Sequence, residues 1–240
     1  FMQILIKNLK INYTQIGEGQ DIIMLHGWGQ NIEMMLPLAK KLENKFKITI
    51  LDLPGFGYSE EPKEPLDIYE YTSIIEDFAT TLEIKNPILI GHSFGGRIAI
   101  IYASRNETKK LVLFGAPCIR ERKVSKKEQF LKKLKKIPFT KNLVEIAKNY
   151  IGSTDYKNAT PVMREILVRT INEDLSECAK KIAAPTLLIW GALDTAAPIS
   201  DARKLNDILK DSGLVEIPNA THYAYLEQLN YVTQILEKFL

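Results

Sequence analysis

The sequence predicts an α/β fold: a mostly parallel central sheet with helices on both faces and an inserted helical lid. Three observations carry this. Short apolar runs such as Asp21–Leu25, Asn86–Ile90 and Pro185–Trp190 alternate with longer helical segments, the rhythm of a doubly covered parallel sheet. The runs end in glycine- and proline-rich turns, of which Asp52-Leu53-Pro54-Gly55-Phe56-Gly57 is the fullest. From Pro117 to about Glu165 the rhythm stops, and only lysine-rich helical segments occur. The expected division is a core of 1–116 and 170–240 and a lid of 117–169.

In chain order, Gln3–Lys7 and Lys10–Ile16 alternate as two antiparallel strands turning at Asn8-Leu9, and Asp21–Leu25 is a short β-rich run. Ile32–Leu42 carries apolar residues at helical spacing, and Phe46–Leu51 is the next strand. Tyr69–Leu82 reads as helix, Asn86–Ile90 as a buried strand, Arg97–Ala103 as a packed helix and Lys109–Phe114 as strand. After the insertion come the strand Pro185–Trp190, the helix Ile199–Leu209, a last strand Leu214–Ile217 and a C-terminal helix Tyr225–Leu240.

Composition narrows the function classes. With 240 residues, 45% hydrophobic and 25% charged, the chain suits one large globular domain. No apolar run approaches the roughly 20 residues of a membrane span, and the first residues lack a signal-peptide core, so the cytoplasm is the expected compartment. Two cysteines, Cys118 and Cys178, form neither a metal motif nor a disulfide scaffold. A net charge of +3 is too small to argue for nucleic acid. No glycine-rich phosphate fingerprint and no metal cluster is found, so neither cofactor nor metal is expected.

Gly91-His92-Ser93-Phe94-Gly95 lies between a strand and a helix, the context of a nucleophile elbow. A serine nucleophile needs a base, a carboxylate that orients the base, and donors for the developing oxyanion. Beyond Ser93 the chain offers Asp194 in Gly191-Ala192-Leu193-Asp194 and His222 in Asn219-Ala220-Thr221-His222, each just past an apolar strand. Of three histidines, His92 adjoins the serine too closely to serve it, and His26 suits a structural role in its loop. The bland alternatives are a turn serine, a helix cap at Asp194 and a loop histidine at His222.

Taken together, His26-Gly27-Trp28-Gly29, Asp52-Leu53-Pro54-Gly55-Phe56-Gly57-Tyr58-Ser59, Gly91-His92-Ser93-Phe94-Gly95-Gly96, Gly191-Ala192-Leu193-Asp194 and His222 resemble the motifs of the α/β-hydrolase fold, in its order and over essentially the whole chain. The resemblance implies a Ser93–Asp194–His222 triad, an oxyanion hole from the backbone N–H groups of Trp28 and Phe94, and hydrolysis of an ester or thioester through an acyl-enzyme. It makes Asp52-Leu53-Pro54-Gly55 scaffold. The chain departs from the family at Thr221, where glycine is usual before the histidine.

Residues 117–165 contain 13 basic and 5 acidic residues, a net +8, against −5 for the remainder. Such a run suits a solvated helix face or an acidic partner steered to the site. His-Gly-Trp-Gly with a basic lid is similar to the pimeloyl-[acyl-carrier protein] methyl ester esterase group, whose partner is acidic; that group has tryptophan before its serine, and this chain has His92. Phe130, Leu131, Leu134, Ile137 and Phe139 are expected as the lid's apolar underside. Trp28, Phe130, Phe139 and Tyr223 are the expected pocket residues, favouring an acyl or aromatic group over a sugar. Two other uses of the fold stay open: a carbon–carbon hydrolase or a lyase like the menaquinone-pathway enzyme, which the run ending at Arg97 resembles, and a receptor that binds without turnover.

Overall fold

The computed structural model describes residues 1–119 and 159–240. Eight strands form one sheet: β1 (Met2–Ile6), β2 (Leu9–Ile16), β3 (Gln20–Leu25), β4 (Phe46–Leu51), β5 (Ile88–His92), β6 (Lys110–Phe114), β7 (Thr186–Gly191) and β8 (Ser212–Ile217), in the order β1-β2-β4-β3-β5-β6-β7-β8. β1 pairs antiparallel with β2, and β2 with β4; every other pairing is parallel. The first hairpin turns on Lys7 and Asn8, not Asn8-Leu9, because both have positive φ (48° and 62°), as a two-residue turn that follows the strand twist requires.

The described helices are α1 (Ile32–Leu42), α2 (Ile68–Thr81), α3 (Phe94–Arg105), α4 (Pro161–Ile171), the single turn α5 (Ser176–Ala179), α6 (Ile199–Ile208), the single turn α7 (Ala224–Glu227) and α8 (Leu229–Phe239). Side chains alternate across the sheet, so β3 sends Ile23 and Leu25 to one core and Ile22 and Met24 to the other, all fully buried. The first core is closed by α2 and α3, the second by α1 and α8. Both faces are therefore covered, as expected.

One helix differs from the sequence reading in a way that bears on the site. Tyr225–Leu240 is not one helix: Gln228, at φ −123° and ψ 43°, breaks it into α7 and α8. The stretch expected as lid rejoins the core packing at α4, where Met163, Ile166 and Leu167 are buried, Met163 and Ile166 within the same cluster as Phe56 and Phe94. Arg97, buried on α3, marks the two ends of that stretch. Its guanidinium donates to the Pro117 carbonyl at one end and to those of Thr170 (2.9 Å) and Glu173 (2.6 Å) at the other. These last acceptors lie at the C-terminus of α4, where a cation is favoured. The core thus commits Arg97 to structure.

Candidate active site

The carboxyl ends of β3, β5, β6, β7 and β8 converge on one region. Between β5 and α3 the chain reverses at Ser93, held at φ 50° and ψ −110°. A non-glycine residue there carries strain on the order of 1–3 kcal/mol and persists only where its surroundings fix it. Two contacts do so. The Ser93 N–H donates to the Phe114 carbonyl at 2.8 Å, and the Gly95 N–H donates to the His26 carbonyl at 3.0 Å. A Cβ on Gly95 would lie 2.3 Å from the Leu25 carbonyl oxygen, so only glycine lets α3 approach β3 this closely.

Asp194 follows β7 with its side chain fully buried. Its Oδ1 accepts the N–H groups of Ala196 (2.9 Å) and Ala197 (2.8 Å), and its Oδ2 lies 2.7 Å from His222 Nδ1. The cap of α6 is Pro198, so Asp194 does not cap that helix. With Nδ1–H donated to the carboxylate, His222 presents Nε2 as its basic nitrogen. The pair stands over Gly115, the residue after the Phe114 that fixes Ser93: a Cβ on Gly115 would lie 2.9 Å from His222 Nδ1 and 3.1 Å from Asp194 Oδ2.

His222 is held by more than its carboxylate. His92 Nε2 lies 2.9 Å from the His222 carbonyl oxygen, and the two rings are 4.7 Å apart. Burial lowers the pKa of His92 to about 3, aided by the neighbouring His222, so His92 is a neutral donor to that carbonyl. Thr221 donates its N–H (2.6 Å) and its hydroxyl to the two carboxylate oxygens of Glu227, at the end of α7. The left-handed residue of this loop is Asn219 (φ 57°), and Thr221 has no positive φ, so threonine in place of glycine brings no backbone strain. The Glu227 clamp and the His92 prop both escape a sequence reading; the only signal for either is the histidine beside the serine.

Trp28 sits in the loop after β3, partly exposed, its ring packed edge-on against Phe56 (4.9 Å) and Phe94 (5.3 Å). Tyr223 is exposed beside His222, with ring centroids 5.7 Å apart. Phe130 and Phe139, with the expected apolar underside of the lid, lie outside the described residues. Asp52 is the scaffold expected of it: fully buried, it accepts from Asn12 Nδ2 (2.8 Å) and from the N–H groups of Ile32 (2.8 Å) and Tyr58 (2.9 Å). No group of three or more metal-ligating side chains is assembled among the described residues.

A mostly parallel sheet covered on both faces, with a strained serine after β5 and a carboxylate–imidazole pair after β7 and β8, is the α/β-hydrolase arrangement, and this chain has that fold. The family model for the alpha/beta hydrolase fold matches residues 22–138. Among its relatives are proteins named for esterase activity. The chain is 29% identical to the AB hydrolase superfamily protein YisY of Bacillus subtilis, over 93% of this chain and 92% of that one. It is 23% identical to the pimeloyl-[acyl-carrier protein] methyl ester esterase of Vibrio cholerae, over 95% and 97%. The structure of an esterase from Exiguobacterium antarcticum superposes with a TM-score of 0.77 at 24% identity, covering 99% of this chain and 98% of that one.

Proposed function

We propose that this protein is a serine hydrolase that cleaves a carboxylic ester or thioester through an acyl-enzyme on Ser93. The observation that carries the reading is the 2.7 Å contact from His222 Nδ1 to a buried Asp194 whose other oxygen is already saturated, beside a serine in a strained elbow. In this mechanism His222 Nε2 takes the Ser93 hydroxyl proton as Oγ attacks the substrate carbonyl. Asp194 stabilises the imidazolium, and the N–H groups of Trp28 and Phe94 receive the oxyanion. His222 returns the proton to the leaving alcohol or thiol. A water deprotonated by the same nitrogen then attacks the acyl-serine and releases the acid. No cofactor takes part.

The acyl group reaches the serine between a core of 1–116 and 170–240 and a lid of 117–169, in the cytoplasm. The excess of 13 basic over 5 acidic residues in 117–165, with relatives named for an acyl-carrier ester, supports an acyl chain borne on an acidic carrier. A carrier-linked ester should then show a KM that rises with salt, while that of the free methyl ester stays level. The primary test is hydrolysis of short p-nitrophenyl esters, with labelling of Ser93 by a sulfonyl fluoride. Ser93→Ala and His222→Ala should each fold and lose at least about 10³-fold in kcat. A folded wild type that neither hydrolyses such esters nor takes the label sinks the proposal.

A further inference from the structure

His26 is fully buried, yet its ring makes two directed contacts that apolar packing does not need. The Leu53 N–H points at Nε2 at 2.9 Å, and Nδ1 lies 2.7 Å from the carbonyl oxygen of Gly27. A backbone N–H can only donate, so Nε2 carries the lone pair and the proton of the neutral ring is on Nδ1. Burial, with a pKa lowered to about 4, keeps the ring in that neutral form. The Nδ1–H therefore donates to the Gly27 oxygen. Gln30 N–H reaches the same oxygen at 3.2 Å and closes the turn, while Gln30 Oε1 accepts the Gly27 N–H at 3.0 Å.

The Gly27 carbonyl and the Trp28 N–H belong to one peptide unit. The chain has no cis peptide among the described residues, so the two groups point in opposite directions across a rigid plane. Whatever holds the oxygen aims the N–H. The same histidine also ties the second donor: its own carbonyl accepts the N–H of Gly95, the residue after Phe94. His26 thus joins, through its ring and its main chain, the two short segments that contribute Trp28 N–H and Phe94 N–H.

Resting on the reading of Ser93 as nucleophile, we propose that His26 is the positioning residue of the oxyanion hole: its Nδ1–H locks the Gly27–Trp28 peptide so that the Trp28 N–H faces the substrate oxygen. It touches no substrate and transfers no proton. Without the lock the peptide can turn over and set a carbonyl where a donor is required, which removes one of two donors and adds repulsion to the oxyanion. The ring's other contact, to Leu53, serves the fold alone, and the two roles can be separated.

The test compares His26→Asn with His26→Gln. An asparagine amide nitrogen falls near Nδ1 and keeps the donor to Gly27; a glutamine amide falls near Nε2, keeps an acceptor for Leu53 and loses that donor. The expected result is a kcat within about fivefold of wild type for H26N and a loss of about 10²–10³-fold for H26Q, with KM little changed and melting temperatures lowered alike. A folded H26Q with wild-type kcat, or two variants whose kcat losses are equal, overturns the proposal. If H26Q does not fold, the wild-type nitrogen-15 spectrum decides: a His26 proton on Nδ1 supports the lock, and one on Nε2 refutes it. A wild type that hydrolyses no ester and takes no label on Ser93 removes the parent reading, and the inference with it; an active wild type beside an unimpaired H26Q removes the inference alone.

Discussion

The proposed nucleophile and the proposed base are held by different physics. Around Ser93 the determinants are steric: a positive φ, backbone hydrogen bonds, and a helix brought so close to β3 that no Cβ fits at Gly95. Around His222 they are polar side chains, with Asp194 on the ring, His92 on the carbonyl and Glu227 on the preceding residue. The first arrangement answers to volume and the second to charge. A serine whose attack angle matters benefits from rigid backbone, whereas an imidazole that gains and loses a proton needs partners that follow its charge.

Asp194→Asn puts that contrast under the greatest load. The amide keeps the shape but no longer stabilises the imidazolium, so kcat should fall by about 10³–10⁴-fold with KM nearly unchanged, read from steady-state ester kinetics. On the other side, Gly95→Ala should act through stability: overpacking against the Leu25 carbonyl should cost on the order of 1–3 kcal/mol, seen as a lower urea midpoint. An alanine variant as stable as wild type would show that the elbow is less tightly set than its geometry implies.

The acid limb of stability comes next. Burial lowers His26 to about 4 and His92 to about 3, while in the unfolded chain both titrate near the ordinary value of about 6.5. The unfolded state then binds more protons, so stability contributed by these rings is whole above about pH 6.5 and is lost as pH falls toward the folded values. With both rings in play the slope should be on the order of 2–3 kcal/mol per pH unit near pH 5, measured by urea unfolding at several pH values. His92→Asn should lower that slope by about half. Smallest of all, Glu227→Gln should lower kcat by less than about tenfold, and Thr221→Gly by less than about threefold, since no backbone strain is relieved at 221.

Strands and long helices were legible because burial on both faces writes continuous apolar runs and helical spacing into the chain. Ile32–Leu42 and Phe46–Leu51 match the sequence reading residue for residue. The break at Gln228 was not legible, because Tyr225–Leu240 keeps its helical spacing across it and the interruption is visible only in the backbone angles and in where Glu227 ends up. The first hairpin slipped by one residue for a similar reason: Lys7 and Asn8 take left-handed angles with no glycine to announce them. Of the site, Ser93, Asp194 and His222 stood out because each follows a strand in a recognisable motif. The supports did not, since a partner such as the His222 carbonyl is 130 residues from His92 along the chain and is brought near only by the sheet order. Thr221 was visible as a departure; that it takes no left-handed angle needed the backbone geometry.

Arg97 gathers the carbonyls of Pro117, Thr170 and Glu173, so the chain leaves the sheet's top and comes back to it through one guanidinium on the elbow helix. One side chain thereby fastens the point where the chain departs after β6 to the point where α4 ends, so a change at this single position loosens both places together.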